Sequence, residues 1–160
     1  MDEQRRLQER LRVARGELPA DLVLRGGRVV NLFTGEVEEV DVAVHQGVVA
    51  GLGTYQGRER VDLKGAYLVP GFIDGHLHLE STLLAPAQLA RVLAPRGTSA
   101  LVADPHEIAN VLGLAGVRAM LAASQDLPVS FFFNAPSCVP ATHLETAGAR
   151  LEAADLISLQ

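Results

Sequence analysis

Two histidines set two residues apart carry most of the chemistry that this sequence offers. In the run Val69-Pro70-Gly71-Phe72-Ile73-Asp74-Gly75-His76-Leu77-His78, an apolar stretch ends in His76 and His78. Alternate residues of a strand share a face, so both imidazoles project to one side and can hold one divalent ion. Neutral imidazole is a common ligand for such ions. Gly71 and Gly75 remove side chains where backbone, ion or substrate must come close. Asp74 falls on the same alternation two residues earlier, where it could orient a ligand imidazole or act as a buried structural hydrogen-bond partner. A His-x-His pair alone says little; the apolar strand, the flanking glycines, Asp74 and the acidic Glu80 give it the context of a metal site.

Further polar residues gather at later strand ends. Asp104-Pro105-His106-Glu107 sits where a strand gives way to a helix. Asp104 as N-cap, Pro105 at the first helical position and Glu107 three residues on would make a capping box, so Asp104 and Glu107 divide between capping and site chemistry. His106 has no part in such a box. Glu80 comes two residues after His78, beyond the strand, where alternation no longer fixes its direction. Ser137 and Cys138 follow a third strand; pocket lining is the role they suit, since a free cysteine is mostly a small hydrophobe. His45 sits beside Gly47 in an expected hairpin turn and reads as solvated, while His143 lies in a loop and reads either way.

The elements that must position these residues follow from the pattern. Residues 1–20 read as a short amphipathic helix or arm, with Leu7, Leu11 and Ala14 spaced at four and three. Residues 21–65 read as a small antiparallel β unit, with turns at Gly26-Gly27, Thr34-Gly35 and His45-Gln46-Gly47. From residue 66 the pattern becomes β then α. A strand from Tyr67 to Ile73, apolar enough to be buried on both faces, precedes a helix near Pro86 to Leu93. A strand over Thr98 to Val102 precedes a helix from Pro105 to Ser124, and a strand over Val129 to Phe133 precedes a last helix from about Gly148. Repeated βα units imply an α/β fold with a parallel sheet. In (β/α)₈ (TIM) barrels the carboxyl ends of the strands carry the active site, and that is where the two histidines fall.

The run Pro70-Gly71-Phe72-Ile73-Asp74-Gly75-His76-Leu77-His78 resembles the first barrel strand of the amidohydrolase superfamily. The continuation His78 to Leu84, the segment Val102 to Gly113 and the segment Asn134 to Thr142 resemble the adenine deaminase family. That resemblance implies a metal-dependent hydrolase converting adenine to hypoxanthine and ammonia, with a two-metal centre favouring manganese or iron and leaving zinc open. It favours His106 as a site residue near the metal or the purine, and it is the main support for Glu80. It also implies a β-sandwich built from both ends of a full chain, here represented by residues 21–65. A complete barrel needs about 250 residues; residues 66–160 fit three βα units. The expectation is therefore the amino-terminal part of a longer enzyme whose remaining ligands and proton-transfer group lie on later strands.

Composition narrows the partners. A formal charge of −5 without a basic stripe argues against nucleic acid. The single cysteine excludes an internal disulfide and suits a reducing cytoplasm, no apolar leader is visible, and no stretch is long enough to span a bilayer. The substrate is thus expected to be a small molecule, with homo-oligomerisation of the full enzyme open. Alternatives are another amidohydrolase, such as a cyclic amide hydrolase or deacetylase, and a catalytically inactive fragment. A cupin-type metal protein would also use His-x-His, but the βα alternation speaks against it.

Overall fold

The computed structural model describes residues 3–159, which divide into two compact units after Pro70. In the first, helix α1 (Glu3–Ala14) leaves Leu7 and Leu11 exposed and buries Val13. Val13 stands about 200° around the helix from Leu11, so the buried face is the opposite of the expected stripe. It packs with Ala20, Val23 and Ala43. Helix α1 is thus held by Val13, by hydrogen bonds between Gln46 and both Glu9 and Arg10, and by one from the Tyr55 hydroxyl to the Ala14 carbonyl, rather than by a leucine seam.

Seven short strands follow in two sheets. β1 (Ala20–Arg25), β4 (Val42–His45), β5 (Val48–Leu52) and β6 (Gly57–Asp62) form one in the order β5-β4-β1-β6. β2 (Arg28–Val30), β3 (Val37–Glu39) and β7 (Tyr67–Leu68) form the other, in the order β3-β2-β7. The expectation of a purely antiparallel unit is corrected: β6 runs parallel to β1, and β7 parallel to β2. A hairpin is legible locally because its turn lies between its strands, whereas β6 and β7 reach their partners only after long connections. His45 is a second correction. Gln46 and Gly47, both at positive φ, make the turn, so His45 remains in β4 and is only 6% exposed rather than solvated.

The second unit is a parallel sheet of β8 (Phe72–Leu77), β9 (Thr98–Ala103) and β10 (Ser130–Phe133), in the order β10-β9-β8. Helices α2 (Pro86–Leu93) and α3 (His106–Ala123) make the two crossovers, and a short helix α4 (Ala153–Ile157) comes last. Leu89 and Ala90 of α2 close over Leu101 and Ala103 of β9, with Leu79 and Val129 completing the buried cluster. The strand expected from Tyr67 to Ile73 is in fact two. β7 belongs to the first unit and β8 to the second, and Val69-Pro70-Gly71 separates them, where Pro70 has no N–H to continue a ladder.

Burial of β8 on both faces is likewise corrected. It is an edge strand, and Phe72 and Ile73 are 65% and 68% exposed. The helix expected over Pro105 to Ser124 breaks at Gly113 (φ 61°, ψ −146°), a conformation that glycine adopts readily. The final helix starts at Ala153 rather than near Gly148, whose backbone lies so close to the carbonyls of Asn110 and Val111 that a Cβ there would stand 2.9–3.0 Å from them. Among the described residues no helix is long and apolar enough to cross a membrane.

Candidate metal centre

The end of β8 is irregular where the chemistry sits. Asp74 pairs with Leu101 and Leu77 with Ala103, so three steps on β8 match two on β9. Such a bulge re-aims side chains beside a site. Here it brings Leu77 onto the buried cluster with Leu101 and Ala103 and leaves the neighbouring His76 on the open side. The bulge also breaks the alternation that would have put Asp74 with the imidazoles. Asp74 is exposed, and its Oδ1 accepts the backbone N–H of His76 at 3.1 Å, so it braces the bulge rather than a ring.

His76 Nε2 and His78 Nε2 lie 3.0 Å apart, their rings edge to face at 4.9 Å between centroids. His78 Nδ1 lies 3.0 Å from Glu107 Oε2. If Nδ1–H of a neutral His78 donates to that carboxylate, Nε2 carries no proton and is free to ligate. The Glu107 hydrogen bond holds His78 above the ordinary imidazole pKa despite partial burial, with the charges of Glu107, Asp104 and Glu80 adding to it. Burial pushes the Glu107 carboxyl up, but the hydrogen bonds from His78 and from its own backbone N–H, with the nearby His106 and His78, bring it below the usual value.

The neighbouring strand end supplies the rest. His106, opening α3, stacks edge to face on His78 at 4.7 Å between centroids. Its Nδ1 lies 3.3 Å from Asp104 Oδ1, within ion-pair distance but without hydrogen-bond geometry, and both atoms are buried without a hydrogen-bond partner. The expected capping box is not formed. Pro105 occupies the N-cap position with no side-chain cap, and the Glu107 carboxylate has turned to His78 instead. The cap arrives from the preceding loop: Glu80 Oε1 accepts the backbone N–H of Ile108 at 2.9 Å. Sequence reading placed Glu80 near the site but could not aim it. What aims it is Leu79, fully buried between His78 and Glu80.

Ligand atoms of His76, His78 and Asp104, and of His78, His106 and Glu107, lie within 4.8 Å of one another. An ion bound by imidazole at about 2.0–2.1 Å needs its nitrogens no more than about 4.2 Å apart, and the 3.0 Å between the two Nε2 atoms meets that limit. Buried polar atoms without partners are rare, yet Asp104 Oδ1 and His106 Nδ1, both in these groups, are two side by side. Acceptors without donors are what a cation satisfies, so the residues present fit a divalent ion. Ser137 and the free Cys138 are exposed and belong to neither group.

The sequence profile of the amidohydrolase family matches residues 67–158. The chain belongs to that family. The amidohydrolase chain is 56% identical over 149 residues to a protein of Syntrophobacter fumaroxidans named adenine deaminase, an alignment covering 93% of this chain and 26% of the relative. It is 54% identical over 157 residues to an adenine deaminase of Dehalococcoides mccartyi, covering 98% of this chain and 28% of that one. The chain thus spans about a quarter of the length of the curated relatives it matches. Among solved structures it is similar to the N-acyl-D-glutamate deacylase of Bordetella bronchiseptica, described in complex with zinc and a phosphonate inhibitor. There the TM-score is 0.55 with 21% identity, over 72% of this chain and 29% of the other. That likeness extends to the mixed α/β fold alone.

Proposed function

We propose that the protein to which this chain contributes hydrolyses adenine to hypoxanthine and ammonia, using a divalent ion held by His76 and His78. The observation that carries the metal-dependent reading is the convergence of the two Nε2 atoms to 3.0 Å beside Asp104, His106 and Glu107. The substrate rests on the relatives named adenine deaminase. In the reaction the C6–N bond of the purine breaks, a C6–O bond forms from water, and the amine leaves as ammonia. A bound divalent ion supplies the Lewis acidity that makes water nucleophilic near neutral pH. His76 and His78 hold and orient; Glu107 keeps the His78 proton on Nδ1; His106 packs edge to face on His78 and abuts Asp104.

Imidazole and carboxylate donors suit manganese, iron or zinc, and the proposal is a two-metal centre of manganese or iron. The three parallel strands are proposed as the first of eight in a (β/α)₈ barrel, with residues 21–65 as one part of a composite β-sandwich and residues 1–20 as an arm. The setting proposed is cytoplasmic, consistent with one free thiol at Cys138. The test is ammonia release from adenine by the full-length protein, stripped of metal and reloaded with Mn²⁺, Fe²⁺ or Zn²⁺, beside a dihydropyrimidine and an N-acyl amino acid. Metal-dependent turnover of adenine is expected. Turnover of either other substrate in its place would replace adenine with a cyclic amide or an acyl amino acid.

A further inference from the structure

Helix α3 begins without a cap of its own, and the acceptor for its Ile108 N–H is Glu80, 28 residues earlier and two residues past His78. The Glu80 side chain is held at both ends of its reach. Its stem follows the fully buried Leu79, Oε1 accepts the Ile108 N–H, and Oε2 is buried with no hydrogen-bond partner. An orphan N–H of a first helical turn needs such an acceptor. Ile108 is the residue after Glu107, whose carboxylate sits on His78 Nδ1. The chain therefore closes a loop through two strand ends: His78, Leu79, Glu80, the Ile108 N–H, Glu107, and back to His78.

From this closed path we propose that Glu80 is a positioning residue of the metal centre. By capping α3 it fixes the turn that carries His106 and Glu107, and through Glu107 it sets the orientation and tautomer of the ligand His78. Partners that orient a ligating imidazole typically govern metal affinity by about 10–100-fold. Reach, rather than charge, is what this role needs. Glutamine keeps an acceptor oxygen at the same distance and replaces a carboxylate with a neutral amide that costs less to bury; aspartate keeps the charge and withdraws the oxygen by one methylene.

The inference rests on the metal-site reading above, and its test separates the two. Mn²⁺ is titrated into metal-free, full-length protein in wild-type, E80Q and E80D forms, and hydrogen exchange of the Ile108 amide is followed in the same metal-free samples. E80Q is expected to bind Mn²⁺ within about threefold of wild type with Ile108 protected, and E80D to lose about 10–100-fold in affinity with Ile108 exchanging freely. E80D binding like wild type overturns the proposal, and so does E80Q binding as poorly as E80D, since charge rather than the cap would then matter. A wild-type protein that takes up no Mn²⁺ overturns the metal reading itself.

Discussion

Glu107 Oε2 lies 3.0 Å from His78 Nδ1, so the residue that a capping pattern would assign to its own helix instead orients a ring on the neighbouring strand end. E107Q keeps the side chain's length but loses the charge and one acceptor. It should weaken Mn²⁺ binding to the metal-free full-length protein by about 10-fold, and E107A by up to about 100-fold. An isothermal titration of each variant measures this, and unchanged affinity in both would remove Glu107 from the site.

The same pair sets a pH window. The folded pKa of His78 is raised above 6.5, so its contribution to stability is complete below 6.5 and is lost as pH rises through the folded value. The folded pKa of Glu107 is lowered below 4.5, so its contribution is complete above 4.5 and is lost as pH falls through the folded value. Urea midpoints of metal-free protein should therefore show the largest gap between wild type and E107Q between pH 4.5 and 6.5, narrowing on both sides. A gap widening steadily to pH 9 contradicts the pairing.

Protons and metal compete for the same rings. Because His78 holds its proton to higher pH than a free imidazole, Mn²⁺ affinity should fall on acidification from above 6.5, with proton release on binding. Calorimetry in buffers of different ionisation enthalpy counts those protons; zero release near pH 6.5 would mean that His78 does not ligate.

Leu79 joins the metal ligands to the buried cluster. It is fully buried, and L79A leaves a cavity costing about 2–5 kcal/mol. It also frees the His78 and Glu80 backbone, so chemical denaturation and Mn²⁺ affinity should decline together. Lost stability with intact affinity would show that Leu79 only packs.

Residues 1–160 expressed alone should be aggregation-prone and inactive on adenine. Phe72, Ile73 and Phe132 leave an apolar sheet face exposed beside the unpaired edges of β8 and β10. Light scattering and an ammonia assay with added manganese check this; a monodisperse, cooperatively unfolding, active chain would contradict it.

What could be read from the sequence was what is local. The approach of the His76 and His78 rings is legible because the two are neighbours but one in the chain, and α2 because Pro86 and Gly97 bracket it. The crossovers of the parallel sheet followed from βα alternation. Long-range partners stayed hidden. Nothing in residues 57–68 announces that β6 and β7 pair in parallel. Asp104 to Glu107 reads as a capping box until His78 draws Glu107 away, and the bulge at Gly75 and His76 that removes Asp74 from the imidazole face has no mark beyond a glycine. At His45 the turn begins one position later than its glycine suggests, enough to move a side chain from solvent to the interior.

The most direct test is anomalous diffraction at the manganese edge from crystals of the full-length protein grown with Mn²⁺. The expected result is a peak within about 2.3 Å of both His76 Nε2 and His78 Nε2, lost in the H76A/H78A double variant. A metal peak elsewhere, with the two Nε2 atoms still 3.0 Å apart and no density beside them, would contradict a metal centre at these histidines.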